Sequence, residues 1–284
     1  MKRTHSTRAP ILPITGALLV LLALPCVSVP TFAADEPALA DSAEMSMPVA
    51  TRLNEVIAVM DAGNPDVAAA AMMTLREELF DNMTEYEKLV TLQTSAILNT
   101  TLLKYPEAIA DHEALLQLPL LTETQRLATT NLVAQLYLQL QDWNKGVEYL
   151  LSVNEMQGAS DRETLFRIAF AYSQLGQAAA AIPYMEQALA VGGEQTPEDY
   201  YRNMATLYIQ TQQPADAIAT YEKLLEIFPD VADRERVLAN VAALYIDLGN
   251  NAKAASLLRE LIREFPTSSQ MPTYRQSLNA LTGG

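Results

Sequence analysis

One constellation of side chains returns four times in this 284-residue chain. A chain patterned in this way buries its apolar faces by stacking similar units on one another. One copy reads Leu165, Ile168, Ala169, Tyr172, Gly176, Ala181, Met185 and Ala188. The next reads Tyr201, Met204, Ala205, Tyr208, Gln212, Ala217, Tyr221, Leu224 and Pro229, and a third Leu238, Val241, Ala242, Tyr245, Gly249, Ala254, Leu258, Leu261 and Pro266. Upstream, Thr130, Val133, Ala134, Tyr137, Gln141, Gly146, Leu150 and Val153 make a fourth. Each offset has a physical reason. A small residue in a first helix lets a second approach closely, the tyrosine fills the gap beside it, and Ala or Gly in the second helix answers from the other side. Gly or Gln between them marks a tight helix–helix turn, and Pro229 and Pro266, each after a phenylalanine, stop the second helix.

Two weaker units precede these four. One runs through Leu92, Ala96, Asn99, Ala108, His112 and Leu115, and the other turns at Gly63-Asn64-Pro65. The small residues of the second helices are then Ala68, Ala108, Gly146, Ala181, Ala217 and Ala254, spaced by 40, 38, 35, 36 and 37 residues. Leu53, Val56, Ile57 and Met60 fall at helical spacing, and no segment alternates as a half-buried strand would. The fold class is therefore all-α. The pattern resembles the tetratricopeptide repeat, W-x2-L-G-x2-Y…A-x3-F…P, with substitutions usual in that family. The resemblance implies a right-handed superhelical solenoid of antiparallel helix pairs, about six repeats with a short C-terminal capping helix. The expected organisation is two divergent pairs over 49–126, four clearer units over 127–270, and a cap or tail over 271–284 around Tyr274, Leu278 and Leu281.

The N-terminus reads as a secretory signal peptide, residues 1–33: Lys2, Arg3 and Arg8 precede an apolar run from Ile11 to Leu24, and small residues favour cleavage between Ala33 and Ala34. The run is shorter than the ~20 residues that a spanning helix needs, and Pro13 and Gly16 interrupt it. Cys26 follows Pro25 rather than a small residue, which argues against lipidation. Cleavage would remove that cysteine, leaving no disulfide and no thiolate chemistry in the periplasm. Residues 34–48, ADEPALADSAEMSMP, read as a flexible acidic linker. The formal net charge of the whole chain is −15, and loss of the leader makes it more acidic. Such a field disfavours nucleic acid and anionic lipid and favours basic partners, although a solvated acidic surface needs no partner at all.

Equipment for catalysis is sparse. Beyond the leader there is one histidine, His112, at a position where the repeat needs packing. Gly192-Gly193 lacks the rest of a phosphate-binding loop, and Glu77, Glu78, Glu85 and Glu87 read as solvated helix charges. Met45 and Met47 could offer two soft thioethers to copper, a poor site by themselves. No catalytic residue, cofactor or metal is expected.

The resemblance places the binding wall on the first helices. It implies Asn131, Gln135 and Leu138; Phe166, Phe170 and Ser173; Arg202, Thr206 and Ile209; and Ala239, Ala243 and Ile246. Two alternatives stand for the centre of this wall: Phe166 and Phe170 grip an apolar side chain of a protein partner, or they pack against the neighbouring repeat. A further resemblance covers residues 83 to 150. Met83-Thr84-Glu85-Tyr86-Glu87-Lys88, Tyr105-Pro106-Glu107-Ala108-Ile109 and Leu136-Tyr137-Leu138 look like periplasmic repeat proteins encoded beside TonB, ExbB and ExbD energy-transduction systems. That implies a scaffold or adaptor accessory to uptake of iron or other scarce nutrients. An envelope-assembly factor remains the alternative, and an exported metal carrier or enzyme comes last.

Overall fold

A computed structural model describes residues 45–158, 161–192 and 196–283. The expected leader and nearly all of the expected linker lie outside the described residues. Among the described residues there are thirteen α-helices and no strand: α1 (Met47–Asp61), α2 (Pro65–Leu79), α3 (Glu85–Thr101), α4 (Tyr105–Leu116), α5 (Glu123–Gln139), α6 (Trp143–Gln157), α7 (Arg162–Gln174), α8 (Ala178–Gly192), α9 (Glu198–Gln210), α10 (Pro214–Ile227), α11 (Arg234–Asp247), α12 (Asn251–Glu264) and α13 (Met271–Thr282). None of them is long and apolar enough to cross a membrane. The chain divides into two compact units at Ser160/Asp161. The N-terminal unit holds the pairs α1/α2, α3/α4 and α5/α6, and the C-terminal unit holds α7/α8, α9/α10 and α11/α12 followed by α13. Helices α2, α4, α8 and α10 each pack both on their own partner and on the first helix that follows, and α12 packs on α11 and α13.

All six turns inside the pairs are built alike. Each contains one residue in the left-handed region: Gly63, Leu103, Gln141, Gly176, Gln212 and Gly249, with φ between 57° and 76°. The residue after it donates its N–H back five positions, as Asn64 does to Val59, Lys104 to Asn99, Asp142 to Tyr137 and Asn250 to Tyr245. This is the Schellman arrangement, which satisfies the orphan carbonyls at the end of a helix. The donor residue then opens the next helix: Asp142 and Asn250 also accept from the backbone N–H three residues on. One residue thus closes the first helix and caps the second, which leaves no slack in the angle between them. At Leu103, Gln141 and Gln212 a side chain occupies a conformation that costs an L-residue roughly 1–2 kcal/mol.

Close approach within the pairs depends on the small residues. Ala68, Ala108, Ala181, Ala217 and Ala254 are fully buried. At Gly146 even a methyl group would lie 2.6 Å from Leu138 Cδ2 across the α5/α6 contact. The repeat tyrosines then tie one pair to the preceding one. Tyr137 donates to Glu113 on α4 (2.8 Å), Tyr208 to Glu186 on α8 (3.0 Å) and Tyr245 to Glu222 on α10 (2.8 Å). Burial and the glutamate beside it push the Tyr137 hydroxyl up to about 12, so it stays a donor throughout the neutral range. At the C-terminal end, α13 lays Tyr274 over Leu238, Leu258 and Leu261 and donates its hydroxyl to Glu235.

The first two pairs differ in having a polar interior. Asp111 is buried on α4, ion-paired with Arg76 of α2, and accepts from Ser95 (2.6 Å) and Asn99 (2.9 Å) of α3. Glu87 closes a capping box with Thr84 at the start of α3, and its second oxygen accepts from both the backbone N–H and the hydroxyl of Ser46, the N-cap of α1. Burial pushes this carboxyl up, but the hydrogen bonds from Ser46 and Thr84 outweigh burial and hold it at about 2.

Two measurements test these devices. Gly176→Ala and Gly249→Ala meet no neighbour, so each is expected to lower unfolding stability by about 1 kcal/mol through the backbone alone, whereas Gln212→Gly raises it by up to about 1 kcal/mol, read from urea midpoints. Glu87 contributes stability that is complete above its unfolded value of 4.5 and lost as pH falls towards about 2. Acid titration by circular dichroism should therefore show a shallower loss in that window for Glu87→Gln than for the parent.

Candidate partner-binding surface

In the C-terminal unit the first helices α7, α9 and α11 place like residues in register, and packing decides which of them remain accessible. Phe166 and Phe170 are only 6% and 8% exposed. Phe166 belongs to the core cluster of α7, α8 and α9 and stacks on Tyr200 at 4.1 Å between ring centroids, with Phe170 stacked behind it at 6.4 Å. Tyr200 is fixed in turn by a hydrogen bond to Glu163 and by the Arg162 guanidinium over its ring. Phe166 thus packs between repeats, with Phe170 stacked on it along α7, which favours the second of the two alternatives for the centre of the wall. Leu138 is likewise buried, and it fills the space that Gly146 leaves open.

Arg202 is half-buried and committed to Asp233 (2.7 Å) and Glu198 (3.0 Å), while Arg236 also pairs with Asp233. Burial disfavours the Arg202 charge, but its hydrogen bonds to Asp233 and Glu198 outweigh that and raise its pKa. Burial likewise pushes the Asp233 carboxyl up, and the two guanidinium groups more than reverse it. The charge of Arg202 is therefore spent joining α9 to the start of α11.

What remains accessible on this face is small and neutral. Ser173, Thr206 and Ile209 are half-buried, and so are Ala239 and Ile246, the counterparts on α11 of Arg202 and Ile209. Ala243, the counterpart of Thr206, is buried. Between α9 and α11 lies a polar group that periodicity does not single out. Tyr221 of α10 accepts from Asn240 (3.3 Å) and is hydrogen-bonded to Thr206. Its position as the aromatic of the second helix marks it as core, and only the meeting of three helices reveals that its hydroxyl reaches this face. Asn131 and Gln135 are half-buried on α5 and belong to the N-terminal unit.

His112 is buried, and its Nδ1 has no hydrogen-bond partner among the described residues. Burial lowers its pKa, with Asp111 working partly against this, so the ring is neutral near pH 7. Of the two candidate copper thioethers, Met45 packs against the core of α1 to α3 while Met47 is 77% exposed. Among the described residues no group of three or more His, Cys, Asp or Glu side chains is placed to hold a metal ion.

A tetratricopeptide-repeat family model matches residues 160–230, and a second one matches 208–271. No curated protein sequence matches the chain. Solved structures share its fold. MamA is similar at 17% identity over 66% of this chain and 96% of that one, with a TM-score of 0.51. YrrB, described as a TPR protein with an unusual peptide-binding site, is similar at 14% identity over 75% and 98%, with a TM-score of 0.50. The structure of Naa15/Naa10 bound to HypK-THB is matched at 17% identity over 83% of this chain and 34% of that chain, with a TM-score of 0.61.

If Phe166 serves packing, Phe166→Ala should lower apparent stability by about 3–5 kcal/mol in urea denaturation, the cost of deleting a buried aromatic ring.

Proposed function

We propose, from the premise that this chain is a tetratricopeptide-repeat protein, that it is a non-catalytic periplasmic scaffold whose first-helix face receives a segment of another protein. The observation that carries this reading is the face of α9 and α11, where Thr206, Ile209, Ala239, Asn240 and Ile246 are accessible while the neighbouring charges are paired off. Such a wall suits a segment with apolar or neutral polar side chains, because a charged group would meet no free counter-charge there. Paired guanidinium and carboxylate groups at its edge keep the helices in register without attracting ions. Repeat proteins of this family serve generally as interaction scaffolds, and YrrB carries a peptide-binding site in the words that describe it.

The finer role is accessory to TonB-dependent uptake of iron or other scarce nutrients. Support comes from the leader-like N-terminus and from the likeness of residues 83–150 to repeat proteins encoded with TonB, ExbB and ExbD.

A photo-crosslinking residue at Thr206, followed by mass spectrometry from intact cells, tests both levels. Recovery of TonB-system proteins is the expected outcome, and recovery of outer-membrane assembly, peptidoglycan or polysaccharide-export proteins instead would remove the uptake role. Ile209→Asp with Ile246→Asp should weaken capture by about tenfold or more while helical circular dichroism is retained. Undiminished capture would move the binding site off this face.

A further inference from the structure

A second surface lies in the N-terminal unit, where side chains of α2, α3 and α4 line an open groove of about 600 Å³. Its floor is apolar: Ala69 and Met72 come from α2, Phe80 from the turn that follows, Leu98 from α3 and Ala110 from α4. Met73 stands at the rim with 63% of its surface exposed. Methionine and phenylalanine together make a soft, adaptable contact for an incoming apolar side chain.

The charges around this floor are unequal. Arg76 is neutralised by Asp111, which is itself fully engaged by Ser95 and Asn99, and the guanidinium lies over the Phe80 ring. Four other charged residues line the groove: Glu77, Asp81 and Glu107 against Lys104. None of these four makes an ion pair among the described residues. An apolar slot is thus rimmed by three unspent carboxylates and one ammonium group, on a chain whose net charge is −15.

We infer that this groove binds a basic peptide segment of a partner protein, one in which a large apolar side chain is flanked by Lys or Arg. The apolar side chain enters between Met72 and Phe80, and the flanking cations meet Glu77, Asp81 and Glu107. A cationic side chain there gains from both the local carboxylates and the field of the whole chain, while an acidic segment is repelled by each. The segment differs in chemistry from the neutral one proposed for α9 and α11, and it contacts none of those residues. The two readings can therefore fail independently. A second copy of this chain is a poor occupant, because two strongly acidic molecules repel each other.

The test uses the full chain and a fluorescein-labelled peptide, Gly-Lys-Lys-Leu-Phe-Lys-Lys-Gly, followed by anisotropy at low and moderate salt. Two comparison peptides replace every Lys by Glu, or Leu-Phe by Ser-Ser. The expected result is saturable binding of the first peptide alone, weakened by salt and weakened at least about tenfold by Glu77→Lys with Glu107→Lys, which reverses two rim charges. Both positions are exposed, so folding should be retained. Filling the slot with Ala110→Trp should also displace the peptide, without altering net charge. Glu226→Lys, an exposed change in the other unit, is the control and should leave affinity near that of the parent. Equal binding of the Ser-Ser peptide, an equal loss in Glu226→Lys, unchanged affinity in both groove variants, or no binding of the basic peptide would each overturn the inference. Loss of binding here with intact capture at Thr206, or the reverse, tells the two surfaces apart.

Discussion

Each helix pair closes over a second-helix residue no larger than alanine, and the remainder of the structure follows from that contact. With Ala108, Ala181, Ala217 or Ala254 at the crossing, two helices approach closely enough for a turn of a few residues to join them. A turn that short can be made only with a left-handed residue, which then aligns the closing hydrogen bond of one helix with the first turn of the next. The resulting angle presents Tyr137, Tyr208 and Tyr245 to Glu113, Glu186 and Glu222 on the preceding second helices. A larger residue at the crossing would therefore disturb the next pair as well as its own. Cost and benefit are shared between neighbours, as expected of repeats that cannot bury their faces alone.

Much of this was legible because the small residues, tyrosines and turn glycines recur in register. Gly176 and Gly249 announce left-handed turns, since only glycine adopts that region freely. Leu103 gives no such signal. Nothing about a leucine suggests a positive φ, and its conformation is imposed by the helices on either side. The tie from Glu87 to Ser46 was equally hidden, because it spans 41 residues and Glu87 looks like one more solvated helix charge. Phe166 illustrates a different limit. The resemblance to the repeat family places it on the first-helix face, but whether that position is open depends on Tyr200, which arrives from the following pair. Periodicity describes one helix, and accessibility is decided by the next.

The two units apply the same construction to different interiors. Pairs α7/α8, α9/α10 and α11/α12 close on aliphatic and aromatic clusters, whereas α2, α3 and α4 meet around Asp111 with three donors and the Glu87 cap ties the start of α3 to that of α1. A buried carboxylate with its acceptors satisfied fixes register strictly, since any shift would leave it unpaired at several kcal/mol. The longer spacings between the first small residues reflect longer first helices, 17 residues in α3 and α5 against 13 or 14 in α7, α9 and α11. Asp111, Ser95 and Asn99 also line an open groove among α2, α3 and α4.

The basic residues determine what kind of surface is left. Arg76 and Arg202 each reach past the next helix in sequence, to Asp111 and Asp233, and Arg234 joins α11 to α12 through Glu260 and Glu264. Their charge is consumed in these pairs, while acids such as Glu77 and Glu107 are exposed and make no ion pair among the described residues. Each of these arginines neutralises at least one carboxylate, so the excess of 34 acidic over 19 basic residues is carried by exposed groups outside these pairs. Association through such a surface is steered over distances set by ionic strength, while the short-range fit is left to apolar floors and small neutral faces. Long-range attraction and local recognition are thereby assigned to different residues, and a change in one can be made without remaking the other.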